Sequence, residues 1–80
     1  MVVVDTPFII GRDEEVDMPL SDEAVSRTHS IITYENGKLY IRDLESKNGT
    51  YLNGKRIVKE ELKDGDVIRV GDTTIKVSIS

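Results

Sequence analysis

Three short segments of the chain carry side chains that can hold an anion. They are Gly11-Arg12, then Ser26-Arg27-Thr28-His29, then the run from Ser46 to Gly54. Guanidinium, hydroxyl, ammonium and amide groups all donate hydrogen bonds, and a guanidinium can bond bidentately to phosphate or carboxylate oxygens. Each segment joins a turn to a short predicted strand. The residue types therefore predict an anion-binding site made from loops.

A hydrolytic site is the enzymatic alternative for these residues, and the sequence argues against it. Ser26, His29 and Asp43 can be drawn as a triad, but no Gly-x-Ser-x-Gly elbow and no evident oxyanion hole accompany them. The chain has no cysteine and one histidine, which excludes thiolate and histidine-rich metal sites. We expect no enzymatic activity, no metal and no cofactor.

The length and the charge of the chain bound its class. Eighty residues make one small domain, residues 1–80. The formal net charge is −4, whereas binding to nucleic acid needs a broad basic face. No apolar run approaches the ~18 residues of a membrane span, and no signal peptide is visible. We expect neither nucleic acid nor a membrane as a partner, and the lack of cysteine fits a cytoplasmic location.

The apolar residues repeat with a period of two, which is typical of strands. From Thr74 to Ser80, Ile75, Val77 and Ile79 alternate strictly with polar residues, so they would face a core. Lys38 to Arg42 alternates in a similar way. The pattern predicts an all-β fold.

Turn signals separate the predicted strands. Four pairs mark turns, and the first two suit two-residue type I′ hairpins: Asn36-Gly37, Asn53-Gly54, Asp64-Gly65 and Gly71-Asp72. Short strands joined by tight turns predict an antiparallel sandwich or barrel. Lys59 to Lys63 could form one helical turn, although it is too short to be a stable helix.

Taken in order and spacing, the three segments resemble the signature of the forkhead-associated (FHA) domain, a phosphothreonine-binding module. The resemblance runs from about Phe8 to Val77. It implies a two-sheet antiparallel β-sandwich of about ten short strands, FHA/SMAD-like, with the binding loops at one end. FHA domains usually begin with an extra strand, which we expect this chain to lack. The last strand would then have a free edge or pair with Met1 to Val4, so we expect weak self-association through the terminal strands.

The resemblance also implies roles for individual residues. Phosphate binding would fall to Arg12, Ser26, Arg27 and Lys47. Asn48 would bind the peptide main chain. Structural support of the site would come from Gly11, His29, Ser46, Gly49, Thr50 and Asn53.

The implied function is non-catalytic, phosphothreonine-dependent binding of a peptide or protein in signalling. Two alternatives stay open. One is a phospho-independent interaction or self-associating module. The other is a designed or minimised FHA scaffold without a biological ligand.

Overall fold

The computed structural model describes residues 6–79, which form a sandwich of two β-sheets. Residues 6–79 contain no helix. The predicted all-β sandwich is therefore confirmed. Met1 to Val4 lies outside the described residues, and the prediction of a missing first strand stays a prediction. The strands are β1 (Phe8–Gly11), β2 (Met18–Pro19), β3 (Ser30–Glu35), β4 (Lys38–Asp43), β5 (Thr50–Leu52), β6 (Lys55–Ile57), β7 (Lys59–Leu62), β8 (Val67–Val70) and β9 (Thr73–Lys76).

The two sheets differ in strand order. The first sheet has the order β2-β1-β3-β4-β7, and the second has the order β6-β5-β8-β9. Neighbouring strands are antiparallel except β1 and β2, which are parallel and pair Ile10 with Met18. Val58 alone separates β6 from β7, so one residue carries the chain from the second sheet to the first.

One end of the sandwich collects the strand ends next to the three donor-bearing segments. In the first sheet, Ser30 lies opposite both Ile10 and Asp43. In the second sheet, Thr50 lies opposite Val70. Ser30 Oγ and Thr50 Oγ1 are 2.7 Å apart, so a buried hydrogen bond joins the two sheets at this end. The loops that extend from these residues share one edge of the molecule.

The core combines alternate residues of both sheets with one loop residue. Ile10, Ile32 and Ile41 of the first sheet and Ile68 of the second are fully buried. Val25, from the loop before β3, packs in the same cluster and is also buried. Full burial of one such side chain contributes about 1.5–3 kcal/mol. Val25 therefore anchors the loop before β3 to the core.

Both Asn-Gly hairpins have the predicted geometry. The φ angles are 51° and 82° for Asn36 and Gly37, and 51° and 85° for Asn53 and Gly54. Positive φ at both central residues characterises the type I′ turn, whose twist matches that of the flanking strands. These turns join β3 to β4 and β5 to β6.

The helical turn that the sequence allows at Lys59 to Lys63 does not form. Residues 59–62 form β7, which pairs with β4 so that Leu62 lies opposite Leu39. Leu62 is buried in the core. Strand pairing and burial of this leucine outweigh the local helix preference of the Lys and Glu residues around it.

The terminal strand is shorter than its alternating pattern predicts. β9 ends at Lys76, and the N–H of Val77 donates instead to Asp66 O at 2.8 Å. Ile75 and Val77 are buried, as the alternation predicts, and Ile79 is half-buried against the core. Burial thus follows the predicted period beyond the end of the regular strand.

Residues 6–79 lack two features that would point to other functions. No helix there is long and apolar enough to cross a membrane. In the same residues, no group of three or more His, Cys, Asp or Glu side chains is placed to hold a metal ion.

Candidate anion-binding site

Three loops lie side by side at the end where the two sheets are joined: the first follows β1, the second precedes β3 and the third joins β4 to β5. The first loop donates two backbone hydrogen bonds to the second, from Arg12 N to Ser26 O at 3.0 Å and from Asp13 N to Arg27 O at 3.2 Å. The third loop joins the second through Lys47 N, which donates to Ser26 Oγ at 3.0 Å. The three donor-bearing segments are therefore in contact, and Ser26 lies at their junction.

Gly11 allows the first loop to lie against the second. A Cβ atom at this position would stand 2.0 Å from Arg27 O and 3.1 Å from Thr28 Cα. No side chain fits at 2.0 Å from a backbone oxygen, so the close approach depends on glycine. The position of Arg12 beside the second loop depends on it as well.

His29 is fully buried and bridges the second and third loops. Its Nδ1 accepts a hydrogen bond from Ser26 N at 3.0 Å, and its Nε2 donates to Gly49 O at 2.8 Å. Because Nδ1 faces an N–H group and Nε2 faces a carbonyl, the ring is the neutral, Nε2-protonated tautomer. A hydrolytic triad would instead direct the serine hydroxyl at the imidazole. In this structure the backbone N–H of Ser26 faces the ring.

Asp43 organises the third loop, a role that sequence reasoning missed. Its carboxylate accepts hydrogen bonds from Ser46 Oγ, from Ser46 N at 3.1 Å and from Thr50 Oγ1 at 2.7 Å. Ser46 Oγ in turn accepts from Gly49 N at 2.9 Å. Partial burial raises the pKa of Asp43, but the hydrogen bonds together outweigh burial and lower that pKa below its usual value. The charged carboxylate fixes the turn that presents the donors at the tip of this loop.

Asp22 fastens the second loop to the turn between β8 and β9, and sequence reasoning missed it too. Its Oδ1 accepts from Ala24 N at 2.9 Å, and its Oδ2 accepts from Asp72 N at 2.9 Å and Thr73 Oγ1 at 2.7 Å. The hydrogen bond from Thr73, followed by that from Ala24, lowers the pKa of Asp22. The second loop is therefore held from both sheets.

Part of this information is present in the sequence. Asp43 stands three residues before Ser46, and Asp22 stands two before Ala24. At these spacings an Asp side chain commonly accepts a hydrogen bond from the backbone of its own turn. Spacing predicts the local bonds, but it gives no signal for the distant partner Thr73.

Arg12 lies on the surface, and one hydrogen bond orients its guanidinium. Its Nε donates to Val25 O at 3.0 Å, which leaves the four N–H groups at the end of the fork. The side chains of Arg27 and Lys47, in the second and third loops, are also exposed. The two ion pairs within residues 6–79 join β7 to β3 and β4, and they include none of these three cations. The positive charge at the loops is available to an anion.

Ser26 and Asn48 keep hydrogen-bonding capacity for a ligand. Ser26 Oγ accepts from Lys47 N, so its own proton can be donated outward. Asn48 Nδ2 donates to Ala24 O at 2.8 Å, which leaves a second N–H group and the amide oxygen. A donor and an acceptor on one exposed side chain can pair with the C=O and N–H of an extended peptide.

Asn53 lies apart from the other predicted site residues. It follows β5 at the end opposite Thr50, and its side chain bonds to Asp66 Oδ1 at 3.0 Å and Val67 N at 2.9 Å. These bonds hold its own turn against the start of β8. The structure gathers the other predicted residues at the loop end and leaves Asn53 outside it.

Comparison with known proteins identifies the family. A family model described as "FHA domain" matches residues 8–71, well over half of the chain. The chain belongs to the FHA family. The FHA domain-containing protein FhaA of Mycobacterium tuberculosis is 41% identical over 69 residues, which are 86% of this chain and 13% of FhaA. This FHA domain thus spans a small part of that larger relative.

Solved structures resemble this FHA domain over most of its length. One, from a structural and functional analysis of phosphothreonine-dependent FHA domain interactions, has a TM-score of 0.91 and 36% identity, and the match covers 98% of this chain and 81% of that chain. Another is EmbR of Mycobacterium tuberculosis in complex with a low affinity phosphopeptide, with a TM-score of 0.81, 36% identity and coverage of 85% of this chain and 18% of that chain. FHA domains as a family are non-catalytic modules that bind phosphothreonine peptides.

Proposed function

We propose that this FHA domain binds a phosphothreonine-containing segment of a partner protein and catalyses no reaction on it. Arg12 and Ser26 hold the phosphate, Arg27 and Lys47 add positive charge, and Asn48 pairs with the peptide main chain. The observation that carries the proposal is the junction at Ser26, where hydrogen bonds hold the Arg12 loop and the Lys47 loop on either side of one hydroxyl.

The arrangement of charge supports a phosphate as the bound anion. Three loops that carry donors meet at the junction, and several donors suit a tetrahedral group with three terminal oxygens. A phosphothreonine carries about −1.5 to −2 charges at pH 7. The exposed cations at the loops match that charge although the chain as a whole is acidic.

A titration with three peptides tests the proposal. The peptides are identical except for one position, which holds phosphothreonine, threonine or aspartate. We expect only the phosphothreonine peptide to bind well, because a carboxylate has less charge, fewer oxygens and no tetrahedral shape. Equal affinity for the threonine peptide would contradict phospho-dependence and favour a phospho-independent interaction module.

Arg12→Ala tests the site itself. Removing one partner of a desolvated charge pair costs about 2–5 kcal/mol, so the affinity for the phosphothreonine peptide should fall at least ~30-fold. The melting temperature should change little, since Arg12 is exposed. Arg42→Ala is the matched control, because Arg42 is an exposed arginine in β4 of the first sheet. If Arg12→Ala and Arg42→Ala bind alike, the proposed phosphate site is wrong.

We also propose weak self-association through β9. Within the described residues this strand is an edge of the second sheet, and a strand edge can pair with another chain. Light scattering at millimolar concentration measures it, and a monomer at that concentration would contradict it. A cytoplasmic location stays a prediction as well.

A further inference from the structure

The second sheet is basic although the chain is acidic. Its four strands contain four cationic residues, Lys55, Arg56, Arg69 and Lys76, and no Asp or Glu. The strands of the first sheet mix Lys and Arg with Asp and Glu. The formal net charge of the chain is −4, so overall composition does not account for a sheet without carboxylates.

Three residues form a cross-strand row on the outer face of this sheet. Tyr51 in β5 lies opposite Arg56 in β6 on one side and opposite Arg69 in β8 on the other. The row faces outward, because buried residues flank it along the strands: Thr50, Leu52, Ile57, Ile68 and Val70. The guanidinium of Arg69 lies over the Tyr51 ring, with Cζ 4.2 Å from the ring centroid. We call these three residues the arginine row.

Both arginines reach toward the loop end of the sandwich. The guanidinium of Arg56 lies against Gly49, since a Cβ atom there would stand 2.7 Å from Arg56 Nε and 3.0 Å from Arg56 Cζ. Gly49 directly follows Asn48. Arg69 Nη1 donates to Gly71 O at 3.3 Å, in the turn that borders the second loop. The arginine row is therefore continuous with the surface proposed to hold the peptide main chain.

We infer that Arg56 and Arg69 bind an acidic segment of the same partner, close in sequence to its phosphothreonine. This inference rests on the proposed function and narrows the class of peptide that the site selects. Neighbouring strands are about 4.8 Å apart, so the backbones of the two arginines, two strands apart, are about 10 Å apart. About three extended residues span that distance. The selected segment carries Asp or Glu at two positions about three residues apart.

The acidic residues of the first loop predict that the site selects acidic residues on only one side of the phosphothreonine. The first loop bonds to the second loop, whereas Arg56 of the row contacts the third loop at Gly49. The first loop contains Asp13, Glu14 and Glu15. Carboxylates there repel an acidic segment, whereas the arginine row attracts it. The charge pattern thus confines the selected acidic residues to one side of the phosphothreonine.

Three phosphothreonine peptides test the inference by calorimetric titration. One has neutral flanks, one has two Asp residues on the N-terminal side, and one has them on the C-terminal side. We expect one of the two acidic phosphopeptides to bind about 3- to 10-fold more tightly than the neutral one, as two exposed ion pairs would allow. Equal affinity of all three would overturn the inference and leave the proposed function standing. If no phosphopeptide binds, the proposed function and the inference both fail.

Paired substitutions distinguish binding by the arginine row from a general effect of the charge of the protein. The double variant Arg56→Gln/Arg69→Gln should lose the gain for the acidic phosphopeptide and keep its affinity for the neutral one. Arg42→Gln/Lys63→Gln removes the same charge at exposed positions outside the row and should keep the gain. Equal loss in both double variants would overturn the inference. If the change at Arg56 disturbs Gly49 and weakens all peptides, Arg69→Gln alone must still reduce the gain, and an unchanged gain would again overturn it.

Discussion

Replacing His29 with alanine should destabilise the domain at least as much as it weakens binding. The buried ring makes two hydrogen bonds, to Ser26 N and Gly49 O. Each contributes about 1 kcal/mol, and the cavity and the unpaired backbone groups left behind add about 1–3 kcal/mol. The sum is about 3–5 kcal/mol. In a domain of this size each kcal/mol shifts the melting temperature by about 4–8 °C, so we expect a decrease of at least about 12 °C.

Differential scanning calorimetry measures this decrease, and two further variants serve as controls. Thr28→Ala changes the exposed neighbour of His29 and should leave the melting temperature almost unchanged. His29→Gln supplies one acceptor and one donor, as the ring does, and should recover part of the stability. Peptide affinity is then measured at a temperature where each variant is folded.

The result that would refute this reasoning is a His29→Ala protein with the parent melting temperature and no binding. Such a protein would show that His29 contacts the ligand rather than bracing the loops. Loss of stability with unchanged affinity of the folded protein would agree with a purely structural role for His29.

The remaining predictions concern the Asn48 side chain, the ionisation of Asp43 and the ionisation of the ligand's phosphate. Asn48→Ala should weaken the binding of a phosphothreonine peptide by about 1–3 kcal/mol in a titration, because the main-chain groups of the peptide lose their partner. An unchanged affinity would show that Asn48 does not bind the peptide. Folding lowers the pKa of Asp43, so its contribution to stability is complete above the ordinary Asp pKa of about 3.9 and is lost as pH falls through the lowered folded value. Melting temperatures across this range should therefore fall less steeply for Asp43→Asn than for the parent, and parallel curves would contradict that. The second pKa of free phosphothreonine is about 6 and should be lower when bound, so affinity should decline between about pH 7.5 and pH 5.5. Calorimetry that shows equal affinity at both pH values would indicate a generic anion patch.

Much of the fold can be predicted because its determinants are local. The period of two and the Asn-Gly pairs depend on neighbouring residues, and both match the sandwich and its hairpins. The segment from Lys59 to Leu62 is different. Its Lys and Glu residues favour a helix locally, and it becomes a strand only because β4 offers an edge and the core accepts Leu62. Local pattern does not contain that information.

The candidate site divides in the same way. The donors can be read from residue type, whereas the contacts that position them depend on topology. The approach of Gly11 to Arg27 O joins residues 16 positions apart, and no local pattern predicts it. The arginine row depends on the register of β6, β5 and β8, so the sequence alone does not predict that Arg56 belongs to it. A one-residue slip in that register would turn such side chains to the other face.

The bond between Asp22 and Thr73 has a consequence for how the domain folds. These residues are 51 positions apart, and closing so long a loop is entropically costly and slow compared with forming a hairpin. The second loop is therefore completed only when both sheets, including β9, are in place. Affinity for a peptide then reports the population of the fully folded chain. Ligand at about 100 times its Kd would stabilise that state by about 2.7 kcal/mol, which would protect the whole sandwich from proteolysis rather than the loops alone.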